Sequence, residues 1–373
     1  MQIYRNSSVF IVSMIGFVAG AIFMYAVFKP ISNVVGNNEF AEESFAVAAV
    51  DLVKDAVVSV YSVKGDGAVV VVEGSGFFVN DAGVFLTNKH VLKKGDGIKY
   101  KAVLSDGDEY FADLVYEDPL DDVAMLKVVD DGASGARPGA AARKFSYVKF
   151  GDSDDMKVGM KVLAFGNALA EYQNTVTMGI ISGKGRQITA KTGAGITESE
   201  SLSGLLQTDA AINLGNSGGA LVNLNGEVIG MNVAVVESGN GVGFAIPSND
   251  LRPLVESFLK NGKVLRPMMG VRFIMLNKNQ AKKYEVDIDQ GALLVGDVSK
   301  GELAVISGGS ADKAGLKALD VILEVDGEKV DEEHPLNRLI RFYEPGNTIK
   351  LKVLRGGEII YKDLVLGNSL MGC

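Results

Sequence analysis

The sequence predicts a mainly β fold of barrel type over most of its length, followed by a smaller mixed unit. Three observations predict it. Short apolar runs punctuated by Gly, Asn and Asp recur from Val57 to Ala245, with no long amphipathic helix between them. Ser248–Lys260 then reads as a helix that closes this part, with a serine at its start and Asn261-Gly262 at its end. Beyond it, Val264–Leu366 alternates strand-like and helix-like stretches.

Taken in order, Val9–Phe28 is a run of twenty residues without a charge, preceded by Arg5 and followed by Lys29-Pro30. That length spans a hydrocarbon core as a helix. A cleaved signal would end in small residues, whereas Phe23, Met24, Tyr25 and Phe28 crowd the exit, so an uncleaved anchor is expected. Ile31–Ser44 is polar and reads as a linker. Phe45–Val58 carries Val47, Val50, Val53 and Val57 at helical spacing. Val57–Val63, Val69–Val72 and Gly74–Val79 read as strands, the last ending at the turn Asn80-Asp81-Ala82-Gly83. Asp130–Ala142 is rich in Gly and Ala and reads as a surface loop between two barrels. Gly185–Gly204 reads as a second long polar loop. In the last unit, Ala311–Ile322 resembles the helix-then-strand signature of a PDZ domain, which implies Leu336–Tyr343 as its second helix and Ile349–Arg355 as a late strand.

Composition narrows the function. A chain of 373 residues is long enough for two or three cores. A net charge of −9 argues against nucleic acid as a partner. The one cysteine, Cys373, allows no internal disulfide and does not reveal the compartment. No Gly-x-x-x-x-Gly-Lys-Ser/Thr run is present, so no nucleotide site is implied, and neither cofactor nor metal is expected.

The chemistry centres on Gly215-Asn216-Ser217-Gly218-Gly219-Ala220-Leu221. Glycines let the backbone turn sharply and a substrate come close. Successive amides there, such as those of Gly215 and Ser217, could bind a developing oxyanion. A serine hydroxyl is a poor nucleophile alone and needs a histidine and a carboxylate. The chain has two histidines. His334 lies in a polar stretch before Pro335, and His90 ends the strand-like Phe85–Val91. Asp118, Asp121 and Asp122 are the carboxylate candidates. The order His, Asp, Ser is that of the chymotrypsin-type double barrel.

Three motifs, Thr-Asn-x-His-Val at Thr87–Val91, Asp-x-Ala-hydrophobic-Leu at Asp122–Leu126, and Gly-Asn-Ser-Gly-Gly-Ala-Leu at Gly215–Leu221, together resemble those of the HtrA (Deg) family of serine proteases. Gln207–Asn213 and Gly243–Ser248 resemble the family as well, and the likeness runs from about Ala49 to about Leu366. It implies a chymotrypsin-like double β-barrel protease domain at 45–262 and one PDZ domain at 263–368. Ahead of them it implies a cytoplasmic tail at 1–8, a transmembrane signal anchor at 9–28 and a linker at 29–44. The implied location is the inner membrane, single-pass, with both domains on the periplasmic side. The resemblance selects Asp122, directly before its strand, over Asp121, which reads as solvated. His90, Asp122 and Ser217 are then the catalytic triad, and the amides of Gly215, Asn216 and Ser217 the oxyanion hole. Ala211, six residues before Ser217, lies at the base of the S1 pocket, which implies small or medium apolar side chains at the cleavage site. Met268, Met269, Gly270 and Val271 match the PDZ loop that takes a C-terminal carboxylate. The implied partners are unfolded or regulatory protein substrates, C-terminal peptides, the membrane and two further copies in a trimer, with Phe40, Phe45 and Tyr61 as contact candidates. The loop at 185–204, through Arg186, is the implied relay between peptide and active site. The competing reading is a catalytically silent PDZ-containing binding protein or chaperone.

Overall fold

The computed structural model describes residues 43–64, 69–129, 143–168, 172–191, 199–233, 241–297, 301–332 and 334–368. The transmembrane anchor, most of the linker, Phe40, Cys373 and nearly all of the Gly/Ala-rich loop lie outside them. Among the described residues no helix is long and apolar enough to cross a membrane.

Helix α1 (residues 43–53) runs through a short 3-10 turn, Lys54–Ala56, into the first strand. Six strands then close a barrel: β1 (Val57–Lys64), β2 (Val69–Phe78), β3 (Val84–Thr87), β4 (Ile98–Val103), β5 (Glu109–Glu117) and β6 (Ala124–Val128), in the order β1-β2-β3-β6-β5-β4, with β4 returning to β1. The stretches at 69–72 and 74–79 are thus largely one strand, β2.

The second barrel is built from β7 (Lys149–Phe150), β8 (Lys161–Ala168), β9 (Tyr172–Lys191), β10 (Ser199–Thr208), β11 (Ala220–Asn223), β12 (Glu227–Val233) and β13 (Gly243–Pro247). Their order is β11-β8-β9-β10-β13-β12-β7, and β11 also pairs with β12, which closes six of the seven into a ring. The polar stretch 185–204 is therefore mostly not a loop. Ser199 pairs with Lys191 and Leu202 with Ile188, so it continues as a β9–β10 hairpin whose tip, 192–198, lies outside the described residues.

One apolar cluster joins the barrels. Phe77, Leu86 and Met125 of the first pack with Phe165, Leu205 and Val222 of the second, and with Ala49 and Val53 of α1. Helix α2 (Ser248–Asn261) adds Leu251, Leu254 and Val255 to the same cluster and stops at Gly262, which has φ 68°. Ser248 does not cap this helix. Its hydroxyl instead donates to the Gly151 carbonyl at 2.8 Å, and Pro247 holds the cap position.

The C-terminal unit contains β14 (Pro267–Met268), β15 (Phe273–Met275), α3 (Lys278–Tyr284), β16 (Ala292–Leu294), α4 (Ser310–Lys313), β17 (Val321–Val325), β18 (Glu328–Lys329), α5 (Leu336–Arg341), β19 (Thr348–Arg355), β20 (Glu358–Val365) and β21 (Gly367–Asn368). The main sheet runs β15-β16-β17-β19-β20, with β18 on β17 and β14 on β21. Its core is separate from that of the barrels and gathers Met269, Ala311, Leu316, Leu336, Ile349 and Leu364 among others.

Charged groups join this unit to the barrels. Arg266, which precedes β14, is 4% exposed and pairs with Asp118 and, at 2.9 Å, with Asp121. Arg341, the last residue of α5, is equally buried and reaches Asp121 at 2.7 Å and Asp250 at 2.9 Å. Arg338 pairs with Asp154. Asp121 is therefore not solvated: two arginines distant in sequence enclose its carboxylate.

Burial acts to raise both Asp121 and Asp250. At Asp121 the charges of Arg341 and Arg266 outweigh it and hold the carboxyl below the usual aspartate range. At Asp250 burial prevails over Arg341 and pushes the carboxyl up. The linkages are opposite in sign. The Asp121 contribution to stability is present above the unfolded aspartate pKa and is lost as pH falls through the lowered folded value. The Asp250 contribution is present below the unfolded pKa and is lost as pH rises through the raised folded value. Asp250→Asn removes the second. The melting temperature of the variant should therefore fall less than that of the wild type between about pH 4 and about pH 8. Equal changes by scanning fluorimetry would contradict this assignment.

Candidate active site

Strand pairing explains how His90 and Asp122 meet. β3 and β6 are antiparallel neighbours, with Thr87 opposite Ala124. The residues just after β3 and just before β6 therefore emerge at the same end of the barrel. After β3 the chain makes a 3-10 turn at Lys89–Val91, which turns His90 back toward β6. His90 Nδ1 lies 2.6 Å from Asp122 Oδ2, and the His90 amide donates to Asp122 Oδ1 at 3.1 Å. The Asn88 side chain donates to the Asp122 carbonyl at 2.8 Å, which ties the two turns together. Both side chains are sheltered, His90 at 5% and Asp122 at 0% exposure.

Asp118 builds the turn that presents Asp122. Its Oδ1 accepts from the amides of Leu120 and Asp121 at 2.8 and 2.9 Å. Its own amide donates to the Val123 carbonyl at 2.9 Å. Its Oδ2 accepts from the Tyr116 hydroxyl at 2.9 Å and from Arg266. Burial, then the Asp118 charge, push the Tyr116 hydroxyl well above its usual pKa, so it stays a donor.

Ser217 comes from the other barrel, at the end of a 3-10 turn, Leu214–Asn216, that leads into β11. This turn is clamped to the first barrel by Ser75 of β2. The Ser75 amide donates to the Ser217 carbonyl and its hydroxyl to the Gly215 carbonyl, both at 2.8 Å. Thr87 in turn donates to the Ser75 carbonyl at 2.7 Å. Gly218 follows with φ 81°, and a Cβ there would lie 2.3 Å from the Ser75 carbonyl oxygen and 3.0 Å from the Asn88 amide nitrogen. The serine turn thus rests against the residues that lead into His90.

Of the three amides expected to bind an oxyanion, that of Asn216 is engaged within its own turn, donating to the Asn213 carbonyl at 3.0 Å. The Asn216 side chain adds to the same turn by accepting from the Asn213 amide at 2.8 Å. Ala211 is exposed, its carbonyl accepting from Thr177 and Asn216 at 3.0 Å each. Beside it Ile212 packs on Gly243, where a Cβ would lie 2.4 Å from Ile212 Cγ1. Asp209, the nearest carboxylate in sequence, is turned to the Ile180 amide at 2.7 Å. Arg186 Nε donates to Gln207 Oε1 at 2.9 Å, a partner on the neighbouring strand of its own hairpin.

In the C-terminal unit, Met269 is buried and Gly270 has φ 78°. The carbonyls of Met269 and Gly270 accept from the amides of Ala311 and Ile306 at 2.8 and 2.9 Å. The Arg272 amide donates to Ala304 at 2.8 Å, and its carbonyl accepts from Val295 at 3.1 Å. Backbone groups alternate in direction along a strand, so those of Val271 and Phe273 point to the opposite, outer edge of the sheet. Val271, Phe273 and Met275 are half-buried there, as are Leu339 and Ile340 of α5. Sequence reasoning missed Ser75, Arg266 and Arg341, and offered Asp118 only as a rival to Asp122, not as the residue that builds its turn. The one local signal was for Ser75, a serine between glycines in Gly74-Ser75-Gly76.

Comparisons with known proteins agree with this architecture. Residues 74–231 match the trypsin-like peptidase domain family and residues 267–364 the PDZ domain family. A "probable periplasmic serine endoprotease DegP-like" of Bartonella henselae is 38% identical over 288 residues, covering 76% of this chain and 51% of the relative. The "serine protease Do-like HtrA" of Bacillus subtilis is 36% identical over 293 residues, covering 77% and 61%. The chain spans about half the length of most of the curated relatives it matches, 51% of the first and 52% of the second. The solved structure of the HtrA-type protease AlgW with a tripeptide superposes with a TM-score of 0.61 at 30% identity, covering 88% of this chain and 98% of that one. With both domain families in this order and a relative matched over nearly its full length, the chain belongs to the HtrA-type serine proteases.

Proposed function

We propose that this protein is an ATP-independent serine endopeptidase, anchored in the inner membrane by residues 9–28, that cleaves misfolded or regulatory proteins on the extracytoplasmic side. The observation that carries the reading is the sheltered 2.6 Å contact between His90 and Asp122 beside the clamped Ser217 turn. Asp122 occupies Nδ1 of the imidazole, which leaves Nε2 to take the proton of the Ser217 hydroxyl as it attacks the scissile carbonyl. The same nitrogen then protonates the leaving amine. Asp122 offsets the positive charge on the ring between these steps. The amides of Gly215 and Ser217 are the donors for the oxyanion, since that of Asn216 is engaged. The apolar side chains of Ala211 and Ile212, with the Asp209 carboxylate turned to the Ile180 amide, suit small or medium apolar residues at the cleavage site.

Residues 45–262 form the protease domain and 263–368 the PDZ domain in this reading, with the boundary at the end of α2. A C-terminal peptide places its carboxylate at Met268–Val271 and adds as a strand beside Val271 and Phe273. Filling of that groove shifts the β9–β10 hairpin, with Arg186 near its base as the relay. A cavity of about 320 Å³, lined by Lys184, Gly185, Gly204 and Leu206 on the barrel side and by His334 and Arg338 opposite, supports such a route. Three copies assemble through α1, where Phe45, Val47 and Leu52 are all more than half exposed.

The test is hydrolysis of fluorescent casein by the full chain without ATP, alongside labelling with a fluorophosphonate. Casein should be cut and Ser217 labelled, and labelling should stop the cutting. Casein that is bound but not cut, with Ser217 unlabelled, would favour the silent binding protein.

A further inference from the structure

The turn at 118–123 presents Asp122, and its internal bonds make it stiff: four of them run through Asp118 and Val123. A stiff turn moves as one piece. Asn88 and His90 hold it from within the barrel at Asp122, and its placement depends as well on what holds it from outside. Two carboxylates of the turn are held from outside. Asp118 is paired with Arg266, and Asp121 with both Arg266 and Arg341. Arg341 lies 220 residues from Asp121 in sequence and belongs to the C-terminal unit.

Arg341 also balances charge. It is 4% exposed and lies between Asp121 and Asp250, at 2.7 and 2.9 Å. These two carboxylates repel, and the Asp121 charge is among the causes that raise Asp250. Arg341 Nη2 donates to Asp121, while the approach to Asp250 is a charge contact in which neither Arg341 Nη1 nor Asp250 Oδ1 makes a hydrogen bond. Without Arg341, Asp121 keeps only Arg266, at 2.9 Å, and Asp250 only the more distant Arg338, at 3.8 Å, so the repulsion between the two buried carboxylates is less offset and drives one of them toward water. Asp121 is the one with more access, 16% against 7%. It is bonded directly to Asp122, so its escape tilts the carboxylate that orients His90.

We propose that Arg341 is a positioning residue for Asp122, through which helix α5 of the PDZ domain sets the geometry of the His90–Asp122 pair. This rests on the triad reading above. Leu339 and Ile340 precede Arg341 in α5 and stand with Val271 and Phe273 as half-buried apolar residues of the same core. A peptide strand lying over them bears on the helix that ends in Arg341. The groove thus reaches the catalytic aspartate by a path that does not pass through the β9–β10 hairpin or the oxyanion amides.

The experiment is a double-mutant cycle in the full chain, read as kcat and KM on a short fluorogenic peptide too small to span both domains. Arg341→Met should lower kcat by about tenfold to a hundredfold, the scale of a misplaced catalytic group, with KM nearly unchanged. In an Asp122→Asn background the same substitution should cost less than about twofold, because the group it positions is gone. Arg341→Lys should restore part of kcat, since an ammonium keeps the charge but not the planar fork. Asp121→Asn, which keeps size and shape, should lower kcat in the same manner and decides the matter if Arg341→Met does not fold. Wild-type kcat in both Arg341→Met and Asp121→Asn would overturn the proposal. So would an equal fractional loss with and without the Asp122 carboxylate, which would show that Arg341 only supports the fold. An Asp122→Asn variant with wild-type activity would take down the triad reading and this inference together. A dead Asp122→Asn beside unaffected Arg341→Met and Asp121→Asn variants would take down this inference alone.

Discussion

Ser217→Ala, His90→Ala and Asp122→Asn should each lower kcat/KM by about a thousandfold or more, with substrate binding retained. The three losses should not multiply. Removing the nucleophile already forfeits what the base and its carboxylate contribute, so the triple variant should be about as slow as the worst single one. Asp122→Asn is the most informative of them. The amide nearly preserves the shape at 0% exposure, but it can present a donor to Nδ1 where the ring must donate. Kinetics on a chromogenic peptide, with peptide affinity measured separately by anisotropy, check this. If Asp121→Asn is the inactive variant and Asp122→Asn is not, the carboxylate has been misassigned.

Gly218→Ala should be nearly as damaging, for a steric reason. At φ 81° an alanine sits in the left-handed region, which costs about 1–2 kcal/mol. The larger problem is space. The added carbon would lie 2.3 Å from the Ser75 carbonyl oxygen and 2.5 Å from Thr87 Oγ1. Backbone cannot yield as a flexible side chain can, so the serine turn must lift away from the first barrel. A shift of about an ångström in a reacting group costs on the order of a hundredfold. The comparison is Gly97→Ala, also at positive φ (74°) but with nothing within 4 Å of the added carbon. It should carry only the conformational cost and keep its activity. If both variants hydrolyse peptide at the wild-type rate, the clamp at Ser75 does not govern the site.

The parts of this structure that could be read from sequence are those fixed by local pattern. β1 at Val57–Lys64 and α2 at Ser248–Asn261 carry their own signals, namely branched apolar residues in one and a glycine stop in the other. The motifs around His90, Asp122 and Ser217 were legible because each needs particular residue types within a few positions. The β9–β10 hairpin was not. Its outer strands, GRQITAK and SESLSG, carry few apolar residues and no apolar alternation, so they read as a loop although Leu202 is buried in the core. Asp121 was misread as solvated because nothing near it in sequence is basic except Lys127. Its partners lie 145 and 220 residues away, in a part of the chain whose docking no local pattern encodes. The Asn216 amide failed for the converse reason. A Gly-rich run signals freedom to turn but not which of its amides the turn itself will use.

The Ser75 clamp has a consequence for how the molecule acquires its activity. Its hydroxyl bond to Gly215 joins residues 140 apart in sequence. It can close only after β2 belongs to a finished first barrel and β11 to a finished second one. Contacts of such long range form late, after the entropy of closing the intervening chain has been overcome. A chain that is still folding therefore carries its histidine and aspartate long before it carries a usable serine. Half-folded copies, whose exposed strands would be good substrates for their own kind, cannot cut one another. Hydrolysis of a small peptide during refolding should thus appear only with the last kinetic phase, which makes proteolysis itself a clock for the completion of folding.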